Sequence, residues 1–282
     1  MTNLREQVAK LASGAPRGTM DYVGNGYARD TTGKVYRVKS LEQTEAERRY
    51  AQQGGKGRKE TFFFNGMDRL DYVIEALTTA QCGYLLVLSS YIDFDGLIIR
   101  SENDKSPMTP SDMQRALKAS HSTFYDFLDN CVSHGIITDG GDGRFYVTRQ
   151  FHFRGKTEGE RVVKTIIAKL REMYTEVSAH DIGLLYRMIP YIHVDSNMLC
   201  ANPEEKSPKH VRKLNRKQLA EVVGVSPALI SRATARMTYR GKSVFAKITT
   251  ATDGTYYMLN PQVFRRNTRE YGVVERTIFG LD

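Results

Sequence analysis

The chain of 282 residues carries 41 Lys and Arg against 32 Asp and Glu, a formal net charge of +9. Its 40% hydrophobic content, with 16 Tyr and 12 Phe, can build packed cores and excludes a wholly disordered chain. The length predicts two modest domains rather than one. The positive excess suits a polyanionic partner, and nucleic acid is the commonest of these.

Membrane insertion and disulfide bonding are not indicated by the sequence. No apolar run approaches the ~20 residues of a membrane helix, and residues 1–5 lack the apolar core of a signal peptide. The three cysteines, Cys82, Cys131 and Cys200, are far apart and form neither a disulfide framework nor a zinc pattern. We therefore expect buried thiols in a reducing cytoplasm, with no membrane partner, no metal and no cofactor.

Residues 1–70 predict a less regular, basic N-terminal region. Short strands are expected near 22–28 and 34–38, around Thr32-Gly33, and a charged helix is expected at 41–50. The glycine-rich stretch 52–59 follows, and its Lys56, Arg58 and Lys59 are candidates for contacts with a minor groove or with phosphates. The alternative for this stretch is a solvated linker.

The rest of the chain repeats itself. Gly83-Tyr84-Leu85-Leu86 returns as Gly183-Leu184-Leu185-Tyr186, at an offset of 100. Ser120 matches Ser226 at an offset of 106, and Phe153-Arg154 matches Phe264-Arg265 at an offset of 111. An ordered series of matches over a long stretch indicates two copies of one unit.

Each copy predicts two helices joined by a tight turn and followed by a hairpin. In copy one Thr109-Pro110 opens a helix and Ser120 caps the next. In copy two Asn215 caps the first helix, and Ser226-Pro227 begins the second. This order is typical of a winged helix-turn-helix. We predict a mostly α protein with small β wings (α+β), built from tandem winged helix-turn-helix domains behind the basic N-terminal region.

The predicted divisions of the chain follow from this repeat. An apolar stripe from Val162 to Met173, at helical spacing, predicts a linker helix between the copies. This helix joins the two domains or pairs with a second subunit, so a homodimer is one expectation. The predicted segments are 1–70, the first winged-helix domain 75–155, the linker helix 156–175, the second domain 176–267 and a C-terminal tail 268–282.

The second helix of each copy is the predicted DNA reader, because that helix enters the major groove of double-stranded DNA. Arg232 is the strongest candidate, since a guanidinium binds guanine bidentately. The other candidates of copy two are Leu229, Ala228, Ser231 and Arg236 for bases, and Lys209, Arg212, Lys213, Arg216 and Lys217 for phosphates. A solvated basic face is the alternative.

Copy one presents a weaker reader. Its candidates are His121, Ser122, Thr123 and Tyr125. Asp126 and Asp129 lie on the same helix, and their carboxylates oppose phosphate. Copy one therefore has a second interpretation, a unit kept for dimerisation or other protein contacts.

The end of copy two, Tyr256-Tyr257-Met258-Leu259-Asn260-Pro261, leads into the aromatic Phe264. It resembles the end of the winged-helix unit in RepL-type plasmid and phage replication proteins. The resemblance covers roughly residues 75–267, although the plasmid form has one unit where this chain has two. It implies a replication initiator that binds an origin and relies on host replication proteins. It also implies a bacterial cytoplasmic location, with the nucleoid or a plasmid.

Other functions remain open on the sequence. A transcription regulator would use the same DNA-binding unit. A nuclease built on Asp93, Asp95 and Asp195 is a third hypothesis, from a different class. Gly241-Lys242-Ser243 lacks the strand-to-helix setting and the first glycine of a phosphate-binding loop. The six histidines never fall within five positions of one another. We therefore expect a DNA-binding protein without catalytic residues.

Overall fold

The structure is a computed structural model that describes residues 21–24, 27–37, 60–251, 254–267 and 271–281. The chain divides into two compact units, Met1–Lys59 and Glu60–Asp282. The helix expected at 41–50 and the stretch at 52–59, with Lys56, Arg58 and Lys59, lie outside the described residues. The finer boundaries expected within the second unit stay predictions.

In the first unit, three short strands pair in the order β1-β2-β3: β1 (Asp21–Gly24), β2 (Tyr27–Arg29) and β3 (Val35–Arg37). The turn between β2 and β3 is held by Asp30, whose Oδ1 accepts hydrogen bonds from the Thr32 and Lys34 amides at 2.9 and 3.0 Å. Gly33 has a φ of 84°, which glycine adopts without steric cost. Strands lie on either side of Thr32-Gly33 as predicted, but the single strand expected near 22–28 is two paired strands, β1 and β2.

Several helices of the second unit begin after a residue whose side chain caps them. Thr78, Thr109 and Asn215 each form a capping box, and Ser120 and Ser226 each accept from a first-turn amide. The helices are α1 (Leu70–Ala76), α2 (Thr79–Ser89), α3 (Pro110–Leu117), α4 (His121–Ser133), α5 (Ile167–Met173), α6 (Ala179–Met188), α7 (Arg216–Val222), α8 (Pro227–Arg236) and α9 (Val273–Phe279).

The described strands of the second unit form one four-stranded sheet and three hairpins. The sheet has the order β13-β8-β4-β7 and is antiparallel throughout. Its strands are β4 (Phe62–Gly66), β7 (His152–Phe153), β8 (Val162–Ile166) and β13 (Phe264–Arg265). The hairpin strands are β5 (Ile137–Asp139), β6 (Phe145–Val147), β9 (Thr238–Tyr239), β10 (Lys242–Ser243), β11 (Phe245–Thr250) and β12 (Gly254–Leu259).

The predicted fold class, mostly α with tandem winged helix-turn-helix domains, is wrong. The described residues are about 39% helical and 23% strand, and the strands form several small antiparallel sheets, so the fold is mixed α/β. The physical reason is the four-stranded sheet, in which β7 and β13 of the two predicted domains are joined through β4 and β8, which lie outside both domains. The main hydrophobic cluster runs through both copies, so they share one core, and a smaller cluster lies between the β11–β12 hairpin and α9.

The prediction of a linker helix is also wrong for the first half of its apolar stripe. Residues Val162–Ile166 form strand β8, which pairs with β4 along its whole length, and only Ile167–Met173 is helical. A run of buried apolar residues does not distinguish a strand from a helix by its spacing. Within the predicted C-terminal tail, α9 packs on the outer face of the β11–β12 hairpin.

The internal repeat extends beyond the predicted copies, because the central strand pair joins β4, which precedes the first predicted domain, to β8 in the predicted linker. Phe64 pairs with Lys164, the residue at the same position of the other copy, 100 residues later. Adding 100 to one residue of any other pair and subtracting 100 from its partner gives another observed pair. Phe62, for example, pairs with Ile166 while Gly66 pairs with Val162. The two copies are therefore related by an approximate two-fold axis through the centre of the β4–β8 pair.

The last part of the repeat is one residue longer than its sequence indicates. The Gly66 amide donates to the Phe151 carbonyl, and the Ile166 amide donates to the Val263 carbonyl. Gly66 and Ile166 occupy the same position in the two copies, so Phe151 corresponds to Val263, which is 112 residues later. The sequence match of Phe153 with Phe264 had given an offset of 111. Side chains placed in correspondence by the sequence alone are shifted by one position there.

Helices α2 and α6 cross at the two glycines of the repeat. A Cβ atom on Gly83 would lie 1.9 Å from the Ala179 carbonyl oxygen, and one on Gly183 would lie 1.6 Å from the Thr79 carbonyl oxygen. The two contacts exchange under the two-fold axis. The backbones approach so closely because neither crossing residue has a side chain. The three cysteines are buried and unbridged, as expected from the sequence.

Candidate nucleic-acid interface

Helices α7 and α8 of copy two form a packed pair that follows local sequence signals. Asn215 accepts from two amides of the first turn of α7, and Ser226 accepts from the Leu229 amide of α8. Leu219 and Ile230 are fully buried between the helices and the core. The opposite face of α8 is turned to solvent, where Ala228 and Arg232 are exposed.

A basic groove lies where α7, α8 and the β11–β12 hairpin meet. It has a volume of about 470 Å³ and is lined by Asn215, Arg216, Lys217, Ser231, Lys247, Thr255 and Tyr257. Three of these residues are cations, and none is acidic. Lys247 comes from the hairpin, whereas Arg216 and Lys217 come from the first turn of α7, so positive charge faces the groove from two sides.

The groove is held in shape by contacts among its own residues. Arg216 Nη1 donates to Ser231 Oγ at 3.2 Å, which ties α7 to α8. Tyr257 is buried and stacks on Phe245 at 5.3 Å between ring centroids. Burial raises the pKa of the Tyr257 phenol, so this side of the groove stays uncharged. Neutral walls and cations on an open face suit the binding of phosphate oxygens.

The structure brings several of the predicted DNA contacts to this groove. Arg216, Lys217 and Ser231 line it, and Arg232 is exposed on the next position of α8. Leu229 is half-buried on the same helix. The candidates Lys209 and Arg212 are exposed in the segment before α7.

Two predicted contacts have partners within the chain. Arg236 donates from Nε to Asp181 Oδ2 at 3.0 Å and pairs with the same carboxylate through Nη2. This hydrogen bond raises the pKa of the Arg236 guanidinium. Lys213 lies with its Nζ 4.8 Å from the centroid of the Tyr256 ring. Both side chains are thus directed away from the groove and onto the protein.

Copy one lacks the cations of the groove. Asp139 pairs with Phe145 in β5–β6 as Lys247 pairs with Tyr257 in β11–β12, so Lys247 corresponds to Asp139. Arg216 and Lys217 correspond to Pro110 and Ser111, through the matching helix caps. The approximate two-fold therefore relates a basic groove to a surface where none of these three positions is a cation.

The candidates of copy one are engaged locally. Thr123 and Ser122 have their hydroxyls 2.8 and 3.4 Å from Ser120 Oγ, the cap of α4. The rings of His121 and Tyr125 lie 4.6 Å apart. Arg232 of copy two corresponds to Asp126, which is exposed on α4. These contacts arrange the first turn of α4 without adding a cation to it.

Sequence reasoning missed Lys247, Thr255 and Tyr257. A signal for Lys247 was available, because it is the exposed residue between buried Ala246 and Ile248 in a strand that was predicted. The position of Lys247 across from α7 could not be predicted from local patterns, because the hairpin and the helix are about 30 residues apart in the sequence.

The residues proposed for a metal nuclease do not form a cluster. Across the described ranges, no three His, Cys, Asp or Glu side chains are placed to hold a metal ion. Asp93 accepts from the Asp95 and Leu97 amides in its own turn, at 2.9 and 3.0 Å. Within the same residues, no helix has the length and apolar character to cross a membrane.

Comparison with known proteins adds no relative. No protein-family model, no curated protein and no solved structure matches the chain.

Proposed function

We propose that the chain binds double-stranded DNA through the basic groove of copy two. The observation that carries this proposal is the convergence of Arg216, Lys217 and Lys247 on one open groove beside an exposed helix face. The net charge of +9 favours the same partner. On this proposal the groove binds phosphates on one strand, and Arg232, exposed on α8, contacts base edges in the major groove.

The first test is a pair of substitutions at one position of the repeat. Lys247→Ala removes a phosphate contact, so it should weaken duplex binding about tenfold at ~0.1 M salt and lower the salt slope by about one. Asp139→Ala, its counterpart in copy one, should leave affinity unchanged or slightly higher. Fluorescence anisotropy with a labelled duplex over a salt series measures both. A Lys247→Ala variant with wild-type affinity and slope would mean that phosphates bind elsewhere.

The second test concerns base recognition. Arg232→Ala should weaken binding to the specific site by ~1–3 kcal/mol and relax the preference at one base pair. Binding to scrambled duplexes should change much less, because Arg232 lies on the helix face and not in the groove. Selection from a randomised duplex pool reports the preference position by position. Equal losses on specific and scrambled duplexes would assign Arg232 to a phosphate instead.

We further propose, on the resemblance to RepL-type proteins, that the bound site is a replication origin and that the chain initiates replication with host proteins. A footprint across its own gene and flanking DNA locates the site. A plasmid that carries this site and depends on the chain for replication tests initiation. Binding at a promoter, without such replication, would favour a transcription regulator.

A further inference from the structure

The first unit holds most of the net charge of the chain. Residues 1–59 contain 12 Lys and Arg and 6 Asp and Glu, a net charge of +6 out of the +9 of the whole sequence. The residues that line the groove proposed for duplex binding all belong to the other unit. A second polyanion site in the first unit would account for this charge.

The three-stranded sheet of this unit has a mixed aromatic and cationic face. Tyr27 and Arg29 are two residues apart on β2 and so point to the same side. Val35 pairs with Arg29 across β3 and shares that side. Tyr27 is 45% and Val35 51% exposed, whereas Ala28, which points to the opposite side, is 4% exposed. The aromatic ring is thus presented to solvent by a short strand with a fixed register.

The face is set in place by the hairpin that carries it. Asp30 holds the β2–β3 turn through three hydrogen bonds from Thr32 and Lys34. Asp21 pairs with Arg29 at one end of the face, and Tyr27 lies at the other end, next to Gly24. A base would therefore reach the ring of Tyr27 at the end of the face away from Asp21, whereas a phosphate at Arg29 would lie on the same side of the sheet as the Asp21 carboxylate.

An exposed aromatic beside a guanidinium on a sheet suits single-stranded nucleic acid. Bases of a single strand can stack on an aromatic ring, and the cation neutralises the neighbouring phosphate. In a duplex the base faces are covered by their neighbours, so the ring would gain little from it. We propose that the β1–β3 sheet is a binding site for single-stranded DNA, with a base stacked on Tyr27 and a phosphate at Arg29.

The absence of tryptophan from the chain permits a direct test. Tyr27→Trp in the full-length protein places a single indole on the sheet. Its fluorescence should be quenched when an oligothymidylate of about 15 nucleotides is added, because stacking brings a base onto the ring. The matched control is Val273→Trp, at an 81% exposed position of the second unit, which should not be quenched.

A substitution series separates stacking from charge. Tyr27→Ala should weaken oligothymidylate binding about tenfold, within the range of a lost stacking contact, while Tyr27→Phe should retain it. Tyr27→Ala should leave duplex affinity unchanged, and Lys247→Ala should leave oligothymidylate affinity unchanged. This crossed pattern keeps the two sites distinguishable, whichever of them fails.

Four results would overturn the proposal. One is an unquenched Tyr27→Trp variant at saturating oligothymidylate, and another is equal quenching by duplex DNA. The third is binding of oligouridylate, with quenching, in the absence of any response to oligothymidylate, which would assign the face to RNA. Equal affinities of the Tyr27→Ala and Tyr27→Phe variants would show that the ring does not stack.

Discussion

Replacing Gly183 by alanine should lower the free energy of unfolding by about 3 kcal/mol or more, the upper range for overpacking. The added methyl group would lie 1.6 Å from the Thr79 carbonyl oxygen, which belongs to the backbone of α2. Relief requires the two helices to separate. The α2–α6 crossing joins the two copies, so its separation disturbs the core that both of them share.

The sign of this effect is what makes it diagnostic. At an unpacked helix position glycine to alanine gains about 1 kcal/mol from helix propensity. Gly83→Ala should lose stability as Gly183→Ala does, because its methyl group would lie 1.9 Å from the Ala179 carbonyl oxygen. Ala235→Gly, at an exposed position of α8, calibrates the propensity term. Urea unfolding measures all three, and a stabilised Gly183→Ala variant would rule out the close crossing.

The repeat and the helix pairs could be predicted because their signals are local. A cap such as Ser226 with Pro227 after it acts within one turn of helix, and the structure places both as expected. The hairpin around Gly254 depends on alternation within a few residues. Neither signal needs knowledge of what packs against the element.

The four-stranded sheet could not be predicted in the same way. Its edge strands, His152–Phe153 and Phe264–Arg265, have two residues each and carry no periodicity. Its central strands pair across about 100 residues of sequence. They are buried and apolar, a pattern that a helix can also show. The pairing of the two copies is therefore a tertiary effect, and it replaced two independent domains by one shared sheet.

The candidate site also combines residues whose placement follows local sequence signals with residues placed by contacts between distant segments. Arg216, Lys217 and Arg232 follow caps that the sequence reveals, so their placement on α7 and α8 was predictable. Arg236 was expected to face DNA, but Asp181, 55 residues earlier, binds it. Lys247 reaches the groove only through the fold of the hairpin against the helices. Contacts between distant segments thus pair Arg236 with a carboxylate and bring Lys247 to the groove.

The approximate two-fold is broken near its axis by a buried polar network. His152 Nδ1 lies 3.0 Å from Asn65 Oδ1, and His152 Nε2 lies 3.1 Å from the Tyr186 hydroxyl. Asn65 Nδ2 donates to Thr165 Oγ1 at 2.8 Å. At the corresponding positions of the other copy stand Phe264, Thr165 and Leu86. The network can form in only one orientation, so it distinguishes copy one from copy two.

Lowering the pH below about 6.5 should destabilise the protein steeply through His152. The side chain is fully buried, and burial lowers its pKa from the ordinary 6.5 to about 3. Between pH 6.5 and about 3, His152 is therefore protonated in the unfolded chain and neutral in the folded one. The contribution of His152 to the free energy of unfolding is fully present above pH 6.5. As the pH falls below this value the contribution is lost by about 1.4 kcal/mol per pH unit, to a total loss of about 5 kcal/mol near pH 3.

The hydrogen bonds give a structural reason for this refusal. Asn65 uses its amide nitrogen as donor to Val163 and Thr165, so its oxygen accepts from His152 Nδ1. His152 Nε2 then accepts from the Tyr186 hydroxyl. A second proton would turn Nε2 into a donor against that hydroxyl, at a site without solvent. The tyrosine would have to redirect its own hydrogen inside the core.

The slope of stability against pH, rather than stability at one pH, isolates this group. His152→Gln should be less stable than wild type at pH 7, because the hydrogen bonds of the imidazole with Asn65 and Tyr186 are lost or distorted. Between pH 6.5 and 4.5, however, its slope should be shallower by about 1.4 kcal/mol per unit. His121→Gln, which removes an exposed imidazole from α4, should keep the wild-type slope. Equal slopes for wild type and His152→Gln in urea titrations across this range would show that His152 does not govern the acid sensitivity.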